Sequence, residues 1–189
     1  KCMINKVRSL VEEACKDESN HFGYGIWTHH IKLVVQNASK LARILGGDEE
    51  VCELGALLHD YASVFNYEFY SEHHLHSARL AGEVLTTLQY PLKTILSVQE
   101  CIKTHRGSQG LKPPTIEAQV LANADAMAHF QSIDSLFYLA YVQHKKGIDE
   151  GREWILEKLE RSWNKLIPEA QQLVKDNYEA AKILFDGEH

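Results

Sequence analysis

"LLHDYA", residues 57–62, ends an apolar run with a histidine and an aspartate side by side. Both groups are costly to bury unless something pairs with them. Reading back one and two turns, His59 continues the line of Cys52, Gly55 and Ala56, and Asp60 follows Ala56 and Leu57. At helical spacing these positions share a face. The pair therefore ends a buried helix whose preceding turn is built of small residues, which leaves room for something bulky beside it.

The same 3.6-residue period runs along nearly the whole chain. It predicts helices over about 4–16, 28–45 (Thr28 as N-cap), 49–62, 72–89 (Ser71 as N-cap), 91–105, 115–130, 133–146, 149–165 and 168–185. Pro91 suits a first helical turn, and "RGSQGLKPPT" (106–115) reads as a loop. No run alternates with period 2 for long enough to make a sheet. The expected fold is all-α, a compact helical bundle forming a single domain over 1–189, with its motif-bearing core at about 25–130 and the helices of 131–189 packed on it.

The composition narrows the function. The 189 residues carry a net charge of −6 with no evident Lys/Arg stripe, which argues against binding a nucleic-acid duplex. An acidic protein can still hold phosphates where a metal ion supplies the positive charge. None of the four cysteines forms a CxxC pair, which excludes a zinc knuckle; Cys52 and Cys101 read as buried small hydrophobes. No stretch has the length of a membrane span and no signal peptide opens the sequence, so a cytoplasmic location without membrane contact is expected. The sequence carries no signal for an oligomeric state.

Histidine is the unusual entry in the composition, at 11 residues. His30 shares a stripe with Leu33, Val34, Ala38 and Leu41 and faces inward, whereas His29 lies with Lys32, Gln36 and Lys40 on the wet side. His105 ends the inward stripe of Val98, Cys101 and Ile102. Asp125 sits among Ala118, Leu121, Ala122 and Ala128, a poor place for an unpaired charge. In "HHLHSARLA" the apolar stripe points back to His74, with His73 one position off it and His76 facing outward. Inward His and Asp groups on so many helices are hard to satisfy by hydrogen bonds among themselves. A cation inside the bundle satisfies all of them, and this donor set suits Fe, Mn, Zn, Co or Ni rather than calcium.

Five segments in order, "HHIKLVVQNA" (29–38), "GALLHDYA" (55–62), "HHLHSARLA" (73–81), "IKTHRG" (102–107) and "ANADAM" (122–127), resemble the HD-domain superfamily of metal-dependent phosphohydrolases. The resemblance implies that His30, His59, Asp60 and Asp125 hold a first metal. The six-ligand variant of the family implies a second metal on His105 and a further histidine, which the family pattern puts at His73 ahead of Ser77-Ala78; His74 and then His76 are the alternatives. Asp60 is the implied bridging and catalytic carboxylate. The implied cofactor is one or two divalent ions (Fe, Mn, Zn, Co, Ni or Mg). The implied reaction is hydrolysis of a phosphoester or phosphoanhydride of a nucleotide or other small phosphorylated metabolite by a metal-bridged hydroxide. The same ligand set also occurs in mixed-valence di-iron oxygenases, and a non-catalytic nucleotide-sensing module is a third reading.

One feature departs from the family. Many members place a Lys shortly after the His-Asp pair, but Tyr61, Ala62 and Ser63 supply no cation here. A phosphate clamp must come from elsewhere; Arg106 is the first candidate, ahead of Arg79 and Lys112. His129, four residues after Asp125, shares its face and can support it. Tyr24 and Trp27 lie near the first ligand as pocket or packing aromatics.

Overall fold

Val34, Ala38 and Leu41 on one helix and Leu121, Ala124 and Ala128 on another are all fully or nearly fully buried, and they define the centre of the molecule. The computed structural model describes residues 2–106 and 113–185. Lys112, most of the 106–115 loop and His189 lie outside the described residues.

The helices are α1 (Cys2–Lys16), α2 (Lys32–Leu45), α3 (Glu49–Leu58), α4 (Tyr61–Phe65), α5 (His73–Thr87), α6 (Leu92–Thr104), α7 (Ile116–Gln131), α8 (Ile133–Phe137), α9 (Ile148–Lys165) and α10 (Pro168–Phe185). No strand occurs among the described residues, so the all-α expectation holds. α2 lies along α7, α5 and α6 form an antiparallel hairpin, and α3 packs on α2, α6 and α7. α9 and α10 pack against the remaining side of α7. Buried residues occur all around α7, as expected for a helix enclosed by others. That enclosure is why a carboxylate in its middle, Asp125, is a chemical anomaly.

The ends follow from local chemistry. Asp48 caps α3 by accepting from the Glu50 and Val51 amides, and Thr115 caps α7 by accepting from Ala118. Gly46 ends α2 at φ 77°, a left-handed conformation that costs glycine little.

The expected 133–146 helix ends at Phe137 and continues as a π-turn over Tyr138–Gln143, and three expected ends differ at the site. Thr28 caps nothing, because Trp27–Ile31 forms a wide π-turn leading directly into α2, with the Thr28 hydroxyl on the Gly25 carbonyl. The expected 49–62 helix breaks after Leu58: Asp60 takes φ −106° and ψ 4°, and the chain restarts as α4. Ser71 does not cap α5, because Tyr67–Glu72 is a 3-10 turn and Glu72 is the residue before the helix. Cys15, Cys52 and Cys101 are buried and unbridged, and burial pushes the Cys101 thiol up to about 12. No described helix is long and apolar enough to cross a membrane.

Candidate metal centre

Each predicted ligand sits at an interruption or an enclosed point of the helical framework. His30 is on the π-turn, a local widening that often marks functional positions. His59 and Asp60 occupy the break between α3 and α4, His73 opens α5, and His105 directly follows α6. Asp125 and His129 lie one turn apart on α7.

These side chains converge. Asp60 Oδ2 is 3.3 Å from His30 Nε2 and 3.3 Å from His59 Nε2, while Asp60 Oδ1 is 3.3 Å from His73 Nε2. His73 Nε2 meets His105 Nε2 at 3.3 Å. Asp125 Oδ1 is 3.5 Å from His30 Nε2 and 3.9 Å from both His59 Nε2 and His129 Nε2. The donors form three overlapping groups that could hold a cation: His30–His59–Asp60, Asp60–His73–His105, and His30–Asp125–His129. Asp60 thus offers a separate oxygen to each of the first two.

A repeated device aims the rings. His59, His73 and His105 each donate Nδ1–H to the carbonyl three residues earlier: Ala56 at 2.8 Å, Tyr70 at 3.0 Å and Ile102 at 2.6 Å. A carbonyl can only accept, so the tautomer of the neutral ring follows: Nδ1 keeps its proton, and Nε2 is the atom whose lone pair a metal would use. Each bond also satisfies a carbonyl that a turn or helix end leaves unpartnered. His73 Nε2 and His105 Nε2 face each other at 3.3 Å. Between neutral rings that contact is repulsive, and a cation lying against both relieves it. Three imidazoles held by backbone carbonyls, beside a two-sided carboxylate, fit divalent transition-metal ligation.

The electrostatics without a metal agree. Burial opposes charging His59, but the Asp60 carboxylate, with help from Asp125 and the Ala56 carbonyl, pushes it up to about 9. Burial likewise opposes ionising Asp60, yet the His59 charge and hydrogen bonds from His30 and His59 hold it well below the usual carboxylate range. Asp125 is also lowered, against its burial, by His129, Lys165, His30 and His59. Burial and the charge on His59 press His105 down to about 3, so it is a neutral imidazole. The site holds ionised carboxylates in a buried place, the arrangement that a cation stabilises most.

The three histidines at the start of α5 point in different directions. His73 joins Asp60 and His105. His74 turns away, with a buried Nδ1 that has no hydrogen-bond partner, and His76 stacks on Phe69 with centroids 4.2 Å apart. His129 stacks on His30 and its Nδ1 meets the Ser162 hydroxyl at 2.9 Å, which ties α7 to α9 at the site.

The cluster opens into a cavity of about 1030 Å³, whose walls include Phe22, Tyr70, Ser63, Arg106, Lys158 and Lys165. The Ser63 hydroxyl is buried there without a partner. Arg106 lies at the rim, donating to the Ser71 carbonyl at 2.5 Å. Arg79 does not reach the cavity; it pairs with Glu83 on the outer face of α5. Trp27 is core packing, and Tyr24 is exposed and bonded to Glu12.

The cations that sequence reasoning missed come from α9. Lys165 is lowered by its burial and sits near Asp125, and its ammonium donates to the His105 carbonyl at 2.5 Å. Lys158 and Arg161 line the same wall. Their signal was the spacing 158, 161, 165, which puts all three on one helical face. The chain's overall acidity masked it.

The fold and this cluster together define a class: an all-α bundle that brings histidines and aspartates from successive helices to one interior point. The chain belongs to the HD domain family, which matches residues 27–129. No curated protein matches the sequence. Among solved structures, a crystal structure described as a predicted HD superfamily hydrolase, from an uncultured Thermotogales bacterium, superposes with a TM-score of 0.58. It is 20% identical and the match covers 91% of each chain, a likeness that establishes the fold.

Proposed function

We propose that the protein is a metal-dependent phosphohydrolase acting on a phosphoester or phosphoanhydride of a nucleotide or other small phosphorylated metabolite. The observation that carries this reading is the Asp60 carboxylate, which turns one oxygen to His30 and His59 and the other to His73, beside a cavity lined by lysine and arginine. His30, His59, Asp60 and Asp125 would hold one divalent ion; Asp60, His73 and His105 would hold a second. Divalent ions bound there would supply Lewis-acid charge to a phosphoryl group and make water acidic enough to react near neutral pH.

The chain's own residues supply the rest. Backbone-bonded rings at His59, His73 and His105 need no reorganisation to present Nε2. Lys165, tethered to the His105 carbonyl, sets an ammonium beside the ligands, where it can neutralise charge on a phosphoryl oxygen. Arg106 is fixed by Ser71 at the rim and can do the same there. Ser63 offers a free hydroxyl inside the cavity. Phe22 and Tyr70 give an apolar wall for the organic part of a substrate. A cavity of about 1030 Å³ suits a small molecule rather than a duplex.

The test is metal analysis of the protein as purified, followed by turnover of a panel of nucleotides and small phosphomonoesters with added manganese, under air and under nitrogen. Phosphate release at equal rates in both atmospheres is expected. Absence of phosphate release across the panel, or turnover that needs dioxygen and bound iron, would overturn the reading; the latter would establish the oxygenase alternative.

A further inference from the structure

α9 carries more positive charge to the cavity than one phosphoryl group needs. Lys158, Arg161 and Lys165 recur at three- and four-residue spacing beside the buried stripe of Ile155, Leu159 and Ser162. All three border the cavity. They differ in position along the helix. Lys165 reaches the ligands through the His105 carbonyl. Arg161 and Lys158 lie one and two turns before Lys165, about 6 and 10 Å along the axis at 1.5 Å per residue.

The surroundings of the two outer cations use little of that charge. Among the described residues no carboxylate pairs with Lys158 or Lys165. Arg161 meets Glu157 at 3.3 Å, but both side chains are more than half exposed, and such a pair contributes little. The rim carboxylate Asp134 faces His29 instead, at 3.7 Å. Lys158 and Arg106 both act on Lys165 as like charges. A row of weakly compensated cations along one wall of an otherwise acidic chain costs free energy through mutual repulsion unless an anion occupies it.

We infer that Lys158 and Arg161 form a second anion subsite, so that the substrate carries a further phosphate group beyond the one placed at Asp60 and Lys165. This rests on the phosphohydrolase reading and narrows it: the substrate class is phosphoanhydrides and bisphosphates rather than simple monoesters. A chain of linked phosphates laid along α9 matches the row in charge and in direction. A monoester would leave the outer two cations unused.

The probes are orthophosphate and methylenediphosphonate, a pyrophosphate analogue that cannot be hydrolysed, each titrated calorimetrically in excess magnesium into the metal-loaded full chain. Wild type should bind the diphosphonate about tenfold to a hundredfold more tightly than orthophosphate, as expected for one or two added charge-assisted hydrogen bonds. The double variant Lys158→Gln/Arg161→Gln should lose that preference and keep its orthophosphate affinity. Equal affinity of wild type for the two probes overturns the subsite, as does an undiminished preference in the double variant. So does a parallel loss for both probes, which would mean a structural effect. Because binding is read without turnover, the subsite can stand where hydrolysis fails, and the reverse.

Discussion

Binding a divalent ion at the centre should expel a proton from His59. Without a metal, the Asp60 and Asp125 carboxylates outweigh burial and push that imidazole up to about 9, so at pH 7 it is almost fully protonated. A metal needs the neutral ring. His105, pressed down to about 3, is already neutral and contributes no proton. About two pKa units separate pH 7 from the His59 value, so the proton penalty at pH 7 is on the order of 3 kcal/mol, or about a hundredfold in apparent affinity. Apparent affinity should rise about tenfold per pH unit from pH 7 and level off near pH 9. The sign for stability is opposite in the metal-free protein. A histidine raised above its unfolded value contributes stability that is complete below about pH 6.5 and is lost as pH rises through about 9. The gain in melting temperature on adding metal should therefore grow across that window. The assay is calorimetric titration of Mn²⁺ at pH 7 in two buffers of different ionisation enthalpy, which counts protons released. Replacing Asp60 by Asn removes the largest charge that raises His59, so in the metal-free variant that ring should titrate at lower pH than in wild type, as read by NMR. Affinity independent of pH between 7 and 9, with no proton release in wild type, would refute the reasoning.

Four further outcomes are expected. Asp60→Ala should lose bound metal and phosphatase activity together, by elemental analysis and initial rates; full activity in that variant would contradict the two-sided role of this carboxylate. His73→Ala should lower metal content while His74→Ala leaves it at the wild-type level, since only His73 joins Asp60 and His105. Lys165→Met, which keeps most of the buried stem, should lower kcat/KM about tenfold to a thousandfold, the range seen when one preorganised donor is removed, with metal content unchanged. Gly151→Ala should destabilise the fold by about 1–3 kcal/mol, because a Cβ there overlaps the Tyr141 ring, whose hydroxyl is bonded to the Ile148 carbonyl. A thermal melt should read this as a drop of about 2–4 °C per kcal/mol.

The all-α class and most of the helices were legible in the sequence, because burial imposes a 3.6-residue period on any helix packed on a core. His30, His59, Asp60, His105 and Asp125 were legible for the same reason: each extends or interrupts a stripe of residues that proved buried. His73 was not decided by periodicity, which pointed to His74. The 3-10 turn over Tyr67–Glu72 feeds α5 and sets its phase, and a phase inherited from the preceding turn cannot be read from apolar spacing within the first turn. The break at Asp60 and the π-turn under His30 were hidden likewise, since both are local departures that the surrounding packing holds in place.

The sequence by itself thus determined which residue types are driven inward, and hence that histidines and aspartates share the interior. Only the tertiary structure decided that Asp60 faces two histidine groups at once, and that Lys158, Arg161 and Lys165 overlook them from a helix well along the chain from His59. Burial is a property of each segment and leaves its period in that segment. Convergence is a property of pairs of segments, and no single stretch records the distance between two side chains.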